Sequence, residues 1–311
     1  DAAKHKDIDG RTPLHWAICK GAPLEVMAAL LEVWPHAAKQ KDRYEYTPLH
    51  LACDRGAPLE VVAAVLEVWP HAAKQKDING RTPLHWACYK RAPLEVMAAL
   101  LEVWPDAVKQ KDKCHSTPLH LACRCRAPFE IVAALLEVWP DAAKEKDRYG
   151  DTPLHLACDR GAPLEVVAAV LEVWPHAAKQ KDKYDRTPLH WACYKGAPLE
   201  VVAALLEVWP EAVKQKDKYQ STPLQMACRC GASLEVTFLL LNTWLSHKEN
   251  RTKRAIMTLQ WDTVNSAGDV KVLISHLFAL CNNNADNPSP NGIMDYFVHI
   301  EMWSGATLVL D

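Results

Sequence analysis

The stretch KYDRTPLHWACYKGAPLEVVAALLEVWPEAVKQKD, residues 183–217, contains the local signals that decide the fold. Thr187 is a favourable N-cap, and Pro188 fits the first turn of a helix, where its missing N–H costs nothing. Gly196 is typical of a left-handed residue that ends a helix. These signals predict one short helix over PLHWACYK.

A second helix is predicted directly after the first. Pro198 fits its start, Glu200 faces its positive N-terminal end, and Pro210 ends it. The segment LEVVAALLEVW spaces apolar residues so that one stripe is expected from Leu199, Val202, Leu205 and Leu206. Such a helix pair with a projecting turn cannot bury its apolar face alone, but stacked copies can form a continuous core.

Close copies of this unit fill most of the 311-residue chain. The triplet TPL recurs seven times at a constant spacing of 35 residues, beginning at Thr12, Thr47, Thr82, Thr117, Thr152, Thr187 and Thr222. A longer period is also visible, because the pairs DR, YK and RC at the ends of the first helices in repeats 2–4 recur in repeats 5–7. A three-repeat block therefore occurs twice.

The tandem motif TPLHxAC…GAPLEVVAALLE resembles the ankyrin repeat, with a unit two residues longer than the usual one of about 33. The resemblance implies an all-α, ankyrin-like solenoid of stacked helix-turn-helix repeats with projecting β-turn tips. It also implies that one histidine per repeat holds the preceding threonine and the neighbouring backbone, namely His15, His50, His85, His120, His155 and His190.

The residues that differ between the repeats fall into two sets of positions. We call the first set the tips, residues 8–11, 43–46, 78–81, 113–116, 148–151, 183–186 and 218–221. We call the second set the helix ends, residues 19–21, 54–56, 89–91, 124–126, 159–161, 194–196 and 229–231. The family resemblance implies that both sets line one concave face.

The charge of the tips and helix ends differs from that of the whole chain. They hold 17 basic and six acidic residues, a balance of +11, whereas the chain carries −2. Tyrosines lie among the arginines, and both residue types dominate interface energetics. The predicted partner-binding residues are Arg43, Tyr44, Arg55, Arg81, Tyr89, Lys90, Arg91, Lys113, Arg124, Arg126, Arg148, Tyr149, Arg160, Lys183, Tyr184, Arg186, Tyr194, Lys195, Tyr219 and Arg229.

These features favour a non-enzymatic scaffold that binds a protein partner through an acidic or extended segment. One alternative is a self-associating solenoid within a larger complex or filament, and another is binding of RNA or a different polyanion. A solvated charged surface without a partner is the simplest reading. The sequence has no Gly-rich phosphate loop, nucleophile elbow or isolated carboxylate pair, so we expect neither catalysis nor a cofactor.

Cysteine spacing bears on compartment and on metal binding. Six of the eleven cysteines recur at one register (Cys53, Cys88, Cys123, Cys158, Cys193 and Cys228), and stacked helices place such positions too far apart for disulfides. We therefore expect buried free thiols and an intracellular, cytoplasmic location. One local group, Cys114, His115, Cys123 and Cys125, suggests at most a weak metal site, so none is predicted. Apolar runs such as VVAALLEVW are too short to span a bilayer.

Two sets of tryptophans are expected to pack in the core. One ends each second helix, at Trp34, Trp69, Trp104, Trp139, Trp174, Trp209 and Trp244, where stacking between repeats is the expected role. The other alternates with Leu or Met on the first helix, at Trp16, Trp86 and Trp191, and is expected at the interface of these helices.

The predicted organisation has three parts. Residues 1–248 form seven repeats, the first starting in mid-unit, since DAAKHKD matches HAAKQKD from inside a repeat and further repeats are expected upstream. Residues 249–280 are interpreted as a degenerate capping repeat that keeps Leu259 and Trp261. Residues 281–311 are a linker and tail, in which a hairpin at Ser304 and Gly305 is one reading and a helix the other.

Overall fold

The computed structural model describes residues 2–257 and 268–281, and all the regular secondary structure within these residues is helical. The chain separates into two units, Asp1–Trp174 and Pro175–Asp311. The first contains α1 Pro13–Lys20, α2 Leu24–Val33, α3 Pro48–Arg55, α4 Leu59–Val68, α5 Pro83–Lys90, α6 Leu94–Val103, α7 Pro118–Arg124, α8 Phe129–Val138, α9 Pro153–Arg160 and α10 Leu164–Val173. The second contains α11 Pro188–Tyr194, α12 Leu199–Val208, α13 Pro223–Arg229, α14 Leu234–Ser246, α15 Lys253–Met257 and α16 Gly268–Cys281.

Each repeat contributes an A helix (α1 to α13, odd numbers) and a B helix (α2 to α14, even numbers). In the first unit, consecutive A helices from α1 to α9 pack side by side, and the B helices from α2 to α10 do the same. In the second unit α11 packs on α13, α12 on α14, and α16 on both α14 and α15. The all-helical repeat architecture predicted from the sequence is confirmed.

The A helices begin and end where the local signals predict. Each has its threonine as N-cap in extended conformation with a capping box, followed by proline in the first turn, as at Thr187 (φ −92°, ψ 165°). A left-handed residue follows each A helix, directly in four repeats and after one further residue in α7, α11 and α13. It is glycine in five repeats, as at Gly196 (φ 64°), and arginine in the other two. This left-handed residue reverses the chain direction towards the B helix.

The B helices differ from the predicted stripe at their first turn. In α12 the buried residues are Val201, Val202, Leu205 and Leu206, whereas Leu199 is 40% exposed. Leu199 is the first residue of the helix, and Val201 is buried in its place. The core of the repeats is otherwise aliphatic, with alanine and cysteine at the tightest positions of the A helices.

The tryptophan at the end of each B helix is its C-cap in the first six repeats, with φ between −143° and −148° and its N–H bonded to the carbonyl four residues earlier. A short 3₁₀ segment follows each one, at Pro35–Lys39, Pro70–Lys74, Pro105–Lys109, Pro140–Lys144, Pro175–Lys179 and Pro210–Lys214. These tryptophans are only half-buried. Trp244 lies within the longer α14 and is 6% exposed, so it is the only one of the set in the core.

The part of the chain after repeat 7 is described in two helices. Val270, Leu273 and Leu277 of α16 are buried, so this helix covers the apolar side of α14. Leu259 and Trp261, on which the capping-repeat interpretation partly rests, lie outside the described residues. So do the expected linker and the hairpin at Ser304 and Gly305. The boundaries at residues 248 and 280 therefore remain a prediction.

The ten cysteines from Cys19 to Cys230 are free thiols, and the six at the common register are buried. Burial raises the pKa of Cys53 and Cys123 to about 12, because the charged thiolate is disfavoured away from water. Within the same residues no helix combines the length and the apolar character needed to cross a bilayer.

Candidate functional site

A histidine in five of the described A helices connects its own repeat to the next one, namely His15, His50, His85, His120 and His190. The Thr47 N–H donates to Nδ1 of His50 over 3.2 Å, and the Thr47 Oγ1 lies 2.8 Å from the same nitrogen. Because Nδ1 accepts a hydrogen bond, Nε2 carries the ring hydrogen and donates to the carbonyl of Arg81 in the following tip, over 3.1 Å. Burial lowers the pKa of His50 to about 4, so it is neutral at pH 7.

An aspartate at the base of each tip shapes the loop. Asp42 Oδ1 accepts the N–H groups of Tyr44 and Tyr46, over 2.9 and 3.0 Å, and the equivalent aspartates repeat this pattern. The six aspartates from Asp42 to Asp217 are nearly buried, Asp42 being 5% exposed, whereas Asp7 is half-buried. A buried second oxygen calls for a donor, and the Oδ2 of Asp217 in repeat 7 has none.

Two kinds of donor reach the second oxygen, Oδ2. In repeats 1, 3 and 6 the donor is the A-helix tryptophan of the same repeat, as in Trp86 Nε1 to Asp77 at 3.0 Å. In repeats 2 and 4, where that position is leucine, the donor is the last tip arginine of the preceding repeat, Arg11 to Asp42 at 3.4 Å and Arg81 to Asp112 at 3.5 Å. In repeat 5 it is Arg124, 3.1 Å from Asp147.

The tips are joined to one another through their backbones. The N–H of the first residue in a tip donates to a carbonyl of the preceding tip, as in Arg43 to Asp9 at 2.8 Å and Arg148 to Cys114 at 2.9 Å. The same bond occurs in the second unit between Lys218 and Tyr184, at 2.8 Å. Neighbouring tips within a unit are thus fixed relative to each other.

Cationic side chains lie over the tyrosine rings of the tips and helix ends. The guanidinium carbons of Arg43 and Arg148 lie 4.7 Å from the ring centroids of Tyr44 and Tyr149. Lysine ammonium groups do the same at Tyr89, Tyr184 and Tyr194, over 5.5, 5.0 and 5.1 Å. Arg81 reaches from its tip to the ring of Tyr89 on the helix end, at 5.6 Å. In the first unit, tips and helix ends therefore meet in a surface of cations and aromatic rings.

A family model described as "Ankyrin repeats (3 copies)" matches residues 1–71, 35–108, 59–143, 104–173, 127–217 and 170–252, which together cover most of the chain. The chain belongs to the ankyrin repeat family. Ankyrin repeats generally mediate protein–protein interactions.

Two solved ankyrin domains are similar in structure. The human ASB11 ankyrin repeat domain is 24% identical, with a TM-score of 0.62, and the match covers 75% of this chain and 98% of that one. The ankyrin repeat domain of Bcl-3, described as a member of the IkappaB protein family, is 26% identical with a TM-score of 0.59, over 75% of this chain and 99% of that one. No curated protein matches the sequence.

Most of the residues predicted to bind a partner are exposed on the surface of these ankyrin repeats. Five are half-buried instead, namely Arg81, Arg124, Tyr149, Tyr184 and Arg186. Arg81 and Arg124 form ion pairs with the buried Asp112 and Asp147, so both have a structural role that their sequence positions did not reveal. Exposed neighbours such as Arg55 and Arg160 pair with exposed or half-buried aspartates, Asp54 and Asp159.

The role of the A-helix tryptophans was missed in the sequence. Trp86 is buried as expected, but its indole N–H serves Asp77, and Trp16 is 40% exposed. A signal was present, because tryptophan in the A helix and arginine at the end of the tip occur together in repeats 1, 3 and 6. In each of them the arginine lies over the indole ring, at 4.7 to 5.4 Å.

A metal centre was not predicted, although one cysteine-rich group was noted. Within the described part of the chain, no three histidine, cysteine or acidic side chains are grouped so as to hold a metal ion. Cys114 and Cys125 are half-buried and Cys123 is buried. His115 is an exposed tip residue.

Proposed function

We propose that this protein is a non-enzymatic interaction scaffold that binds a protein partner through the surface of tips and helix ends. The partner presents an acidic or extended segment to it, and the fixed residues of the repeats serve only to hold that surface in place. A location in a reducing, intracellular compartment accords with the free thiols.

The exposed tyrosines paired with cations are the observation that supports this proposal most. Tyr44, Tyr89 and Tyr194 are 38, 40 and 50% exposed with a cation over each ring, although aromatic rings contribute strongly to stability when buried. Exposed tyrosine beside arginine or lysine is the composition found at interface centres. A merely solvated charged surface gives no reason for the rings.

The same mixture of cations and rings makes polyanion binding the second candidate. Single-stranded nucleic acid combines phosphates with bases that stack on aromatic side chains. The two candidates differ in their salt dependence, because phosphate contacts release counterions and binding then falls steeply with salt concentration.

A matched pair of charge-reversal variants tests the proposal. The first changes the leading residue of four tips, Arg43, Lys113, Arg148 and Lys183, to Glu. The control changes the residue four positions earlier in the same repeats, at the end of each 3₁₀ segment, Lys39, Lys109, Lys144 and Lys179, to Glu. All eight side chains are exposed, and the two variants alter net charge equally. Of the control lysines, Lys109 and Lys144 pair with exposed aspartates, and such pairs contribute little to stability.

The assay is capture of proteins from nuclease-treated cell extract by the native chain and both variants. We expect the control to retain every protein that the native chain captures, and the tip variant to lose at least one of them. If both variants lose binding alike, the attraction depends on net charge rather than on the tips, and the polyanion candidate replaces the scaffold. If neither variant loses binding, the partner does not use the tips.

A further inference from the structure

The B helices of the first unit expose charge of one sign. Each of α2, α4, α6, α8 and α10 contains two glutamates and no other charged residue. All ten glutamates are exposed, and within the described residues none of them forms an ion pair. They are Glu25, Glu32, Glu60, Glu67, Glu95, Glu102, Glu130, Glu137, Glu165 and Glu172. We call the exposed residues of these five helices the B-helix surface.

The second glutamate of each of these helices has an unfavourable position. It is the penultimate residue, close to the carbonyl groups that end the helix, where a cation is favoured and an anion is not. The valine that follows it is 36 to 73% exposed in all five helices. An isolated array would be better served by lysine and a polar residue at these two positions. The repeated Glu-Val pair therefore indicates that the B-helix surface contacts another molecule.

An apolar groove lies within this surface, between α8 and α10. Its volume is about 600 Å³, and both apolar and acidic side chains line it. Phe129, at the start of α8, is 42% exposed there and takes the place of the leucine that begins every other B helix of the first unit. The lining also includes Leu136, Val173, Glu137, Glu165 and Glu172. Such a groove suits an apolar side chain that has a cation beside it.

The tips and helix ends of the same unit have the complementary character. They hold 12 basic and five acidic residues, a balance of +7. Exposed apolar and aromatic side chains lie among them, since Tyr44, Ile78 and Tyr89 are 38, 46 and 40% exposed. Five of the cations are exposed and form no ion pair within the described residues, namely Lys20, Arg91, Lys113, Arg126 and Arg148.

The two surfaces also share one spacing. Consecutive A helices pack side by side in the first unit, and so do the B helices of the same repeats. Each repeat therefore adds one tip, one helix end and one pair of glutamates at the same interval along the array. A contact between the two surfaces that fits at one repeat also fits at the next. An unrelated basic protein would match this interval only by coincidence, whereas a second copy of the chain has it by construction.

We propose that the tips and helix ends of one copy dock on the B-helix surface of a second copy through their first units. The unpaired cations then face the glutamates, and exposed tyrosine or isoleucine side chains enter the groove between α8 and α10. Complementary charge of this kind fixes register and partner choice. The inference goes beyond the proposed function, in which the B-helix surface has no part. A partner bound at the tips competes with the second copy.

Sedimentation equilibrium of the full chain tests the proposal over about a hundredfold range of concentration. We expect the weight-average mass to rise past that of a dimer, because the contact joins two different surfaces and each docked pair still has one of each free. Added salt should reverse the association, since exposed charges are screened.

Two variants each disable one surface. Glu67→Lys/Glu102→Lys/Glu137→Lys/Glu172→Lys should raise the concentration for half-assembly by about tenfold or more, because like charges then face each other. It should melt at an equal or higher temperature, since lysine suits the last helical turn, so loss of association cannot be ascribed to unfolding. The second variant changes Arg91, Lys113, Arg126 and Arg148 to Glu, which moves the tips and helix ends from +7 to −1, and it should lose association to a similar degree.

An equal mixture of the two variants is the decisive sample. The first retains native tips and the second a native B-helix surface, so together they should form a one-to-one pair that does not grow further. The control is the variant of the capture experiment with Lys39, Lys109, Lys144 and Lys179 changed to Glu. It alters net charge as much as the second variant does, but lies on neither surface, and should associate like the native chain.

Four outcomes would overturn the inference: a native mass that does not change with concentration, native-like association of either variant, a mixture that stays monomeric, or equal loss of association in the control. The two proposals fail separately. Capture of a partner needs only the tips, so a chain that stays monomeric would leave the scaffold function intact.

Discussion

The tip aspartates require hydrogen-bond donors, and this requirement constrains residues far from them in the sequence. A buried carboxylate with an unbonded oxygen costs about 1–3 kcal/mol, and more when it is charged. In the first six repeats the donor is an indole from the same repeat or a guanidinium from the preceding one. Because either donor can bond the aspartate, the A-helix position of Trp86 can hold tryptophan in some of these six repeats and leucine in the others without leaving the aspartate unpaired.

Removing Arg124 should therefore destabilise the protein rather than only weaken partner binding. We expect Arg124→Ala to lower the free energy of unfolding by about 1–3 kcal/mol, because the buried Asp147 Oδ2 loses its donor. Urea denaturation measures the change. Arg160→Ala, on the exposed pair with Asp159, is the control and should stay within about 0.5 kcal/mol.

A second variant asks whether the two kinds of donor can replace each other. Leu156 lies at the position of Trp86, nine residues after its aspartate. Leu156→Trp should recover part of the stability lost in Arg124→Ala, since an indole N–H then faces Asp147. No recovery in the double variant, together with a harmless Arg124→Ala, would contradict the donor requirement.

At the scale of the single element, the tip is a loop whose third residue is always left-handed. That residue is Gly10, Gly80 and Gly150 in repeats 1, 3 and 5, and Glu45, His115, Asp185 and Gln220 in the others. In repeat 3 a Cβ on residue 80 would lie 3.3 Å from the Lys113 backbone nitrogen, so the glycine also allows the next tip to approach.

Opposite effects are expected from substitutions at two equivalent tip positions. His115→Gly should raise the free energy of unfolding by about 0.5–1 kcal/mol, because it removes left-handed strain at φ 60°. Gly80→Ala should lower it by about 1 kcal/mol or more, from strain at φ 75° and the close backbone nitrogen. Thermal unfolding of the two variants measures the direction of each change in stability. A stabilising Gly80→Ala would refute the backbone explanation.

At the scale of the whole molecule, the sequence predicted what each repeat specifies locally. The Thr-Pro start, the glycine end and the 35-residue period were sufficient to define the helices, because caps and turns depend on neighbouring residues. The positions that were not predicted depend on contacts across repeats. Arg124 is half-buried and bonds an aspartate 23 residues away, and Leu199, at the start of its helix, is 40% exposed.

The B-helix tryptophans show the same limit. Their identical spacing suggested that all seven are buried alike. Trp139 is instead half-buried like its equivalents, because it ends its helix at the rim of the core. Trp244 is buried because α14 continues past it to Ser246. The extra turn of that helix, which the missing proline at residue 245 permits, could have been anticipated from the sequence.

The chain of histidines gives the whole array a pH sensitivity that one repeat would barely show. Burial lowers the pKa to about 4 at His50, His85 and His190 and to about 3 at His120. In the unfolded chain the pKa of each histidine is about 6.5. The unfolded state therefore binds more protons as the pH falls through about 6.5, while the folded histidines stay neutral, and stability decreases.

We expect the free energy of unfolding to fall by about 2 kcal/mol per buried histidine between pH 7 and pH 5, where carboxylates remain ionised. Urea midpoints at pH 7, 6 and 5 measure this. His50→Gln is the matched control, because Gln225 already fills this position in repeat 7, where its Oε1 accepts the Thr222 N–H over 2.9 Å. The variant should be less stable at pH 7, since the bond to the Arg81 carbonyl changes. Its free energy of unfolding should fall less between pH 7 and pH 5, by the contribution of one histidine. Equal pH dependence in both proteins would mean that His50 is protonated in the folded state, which the bonding of its Nδ1 forbids.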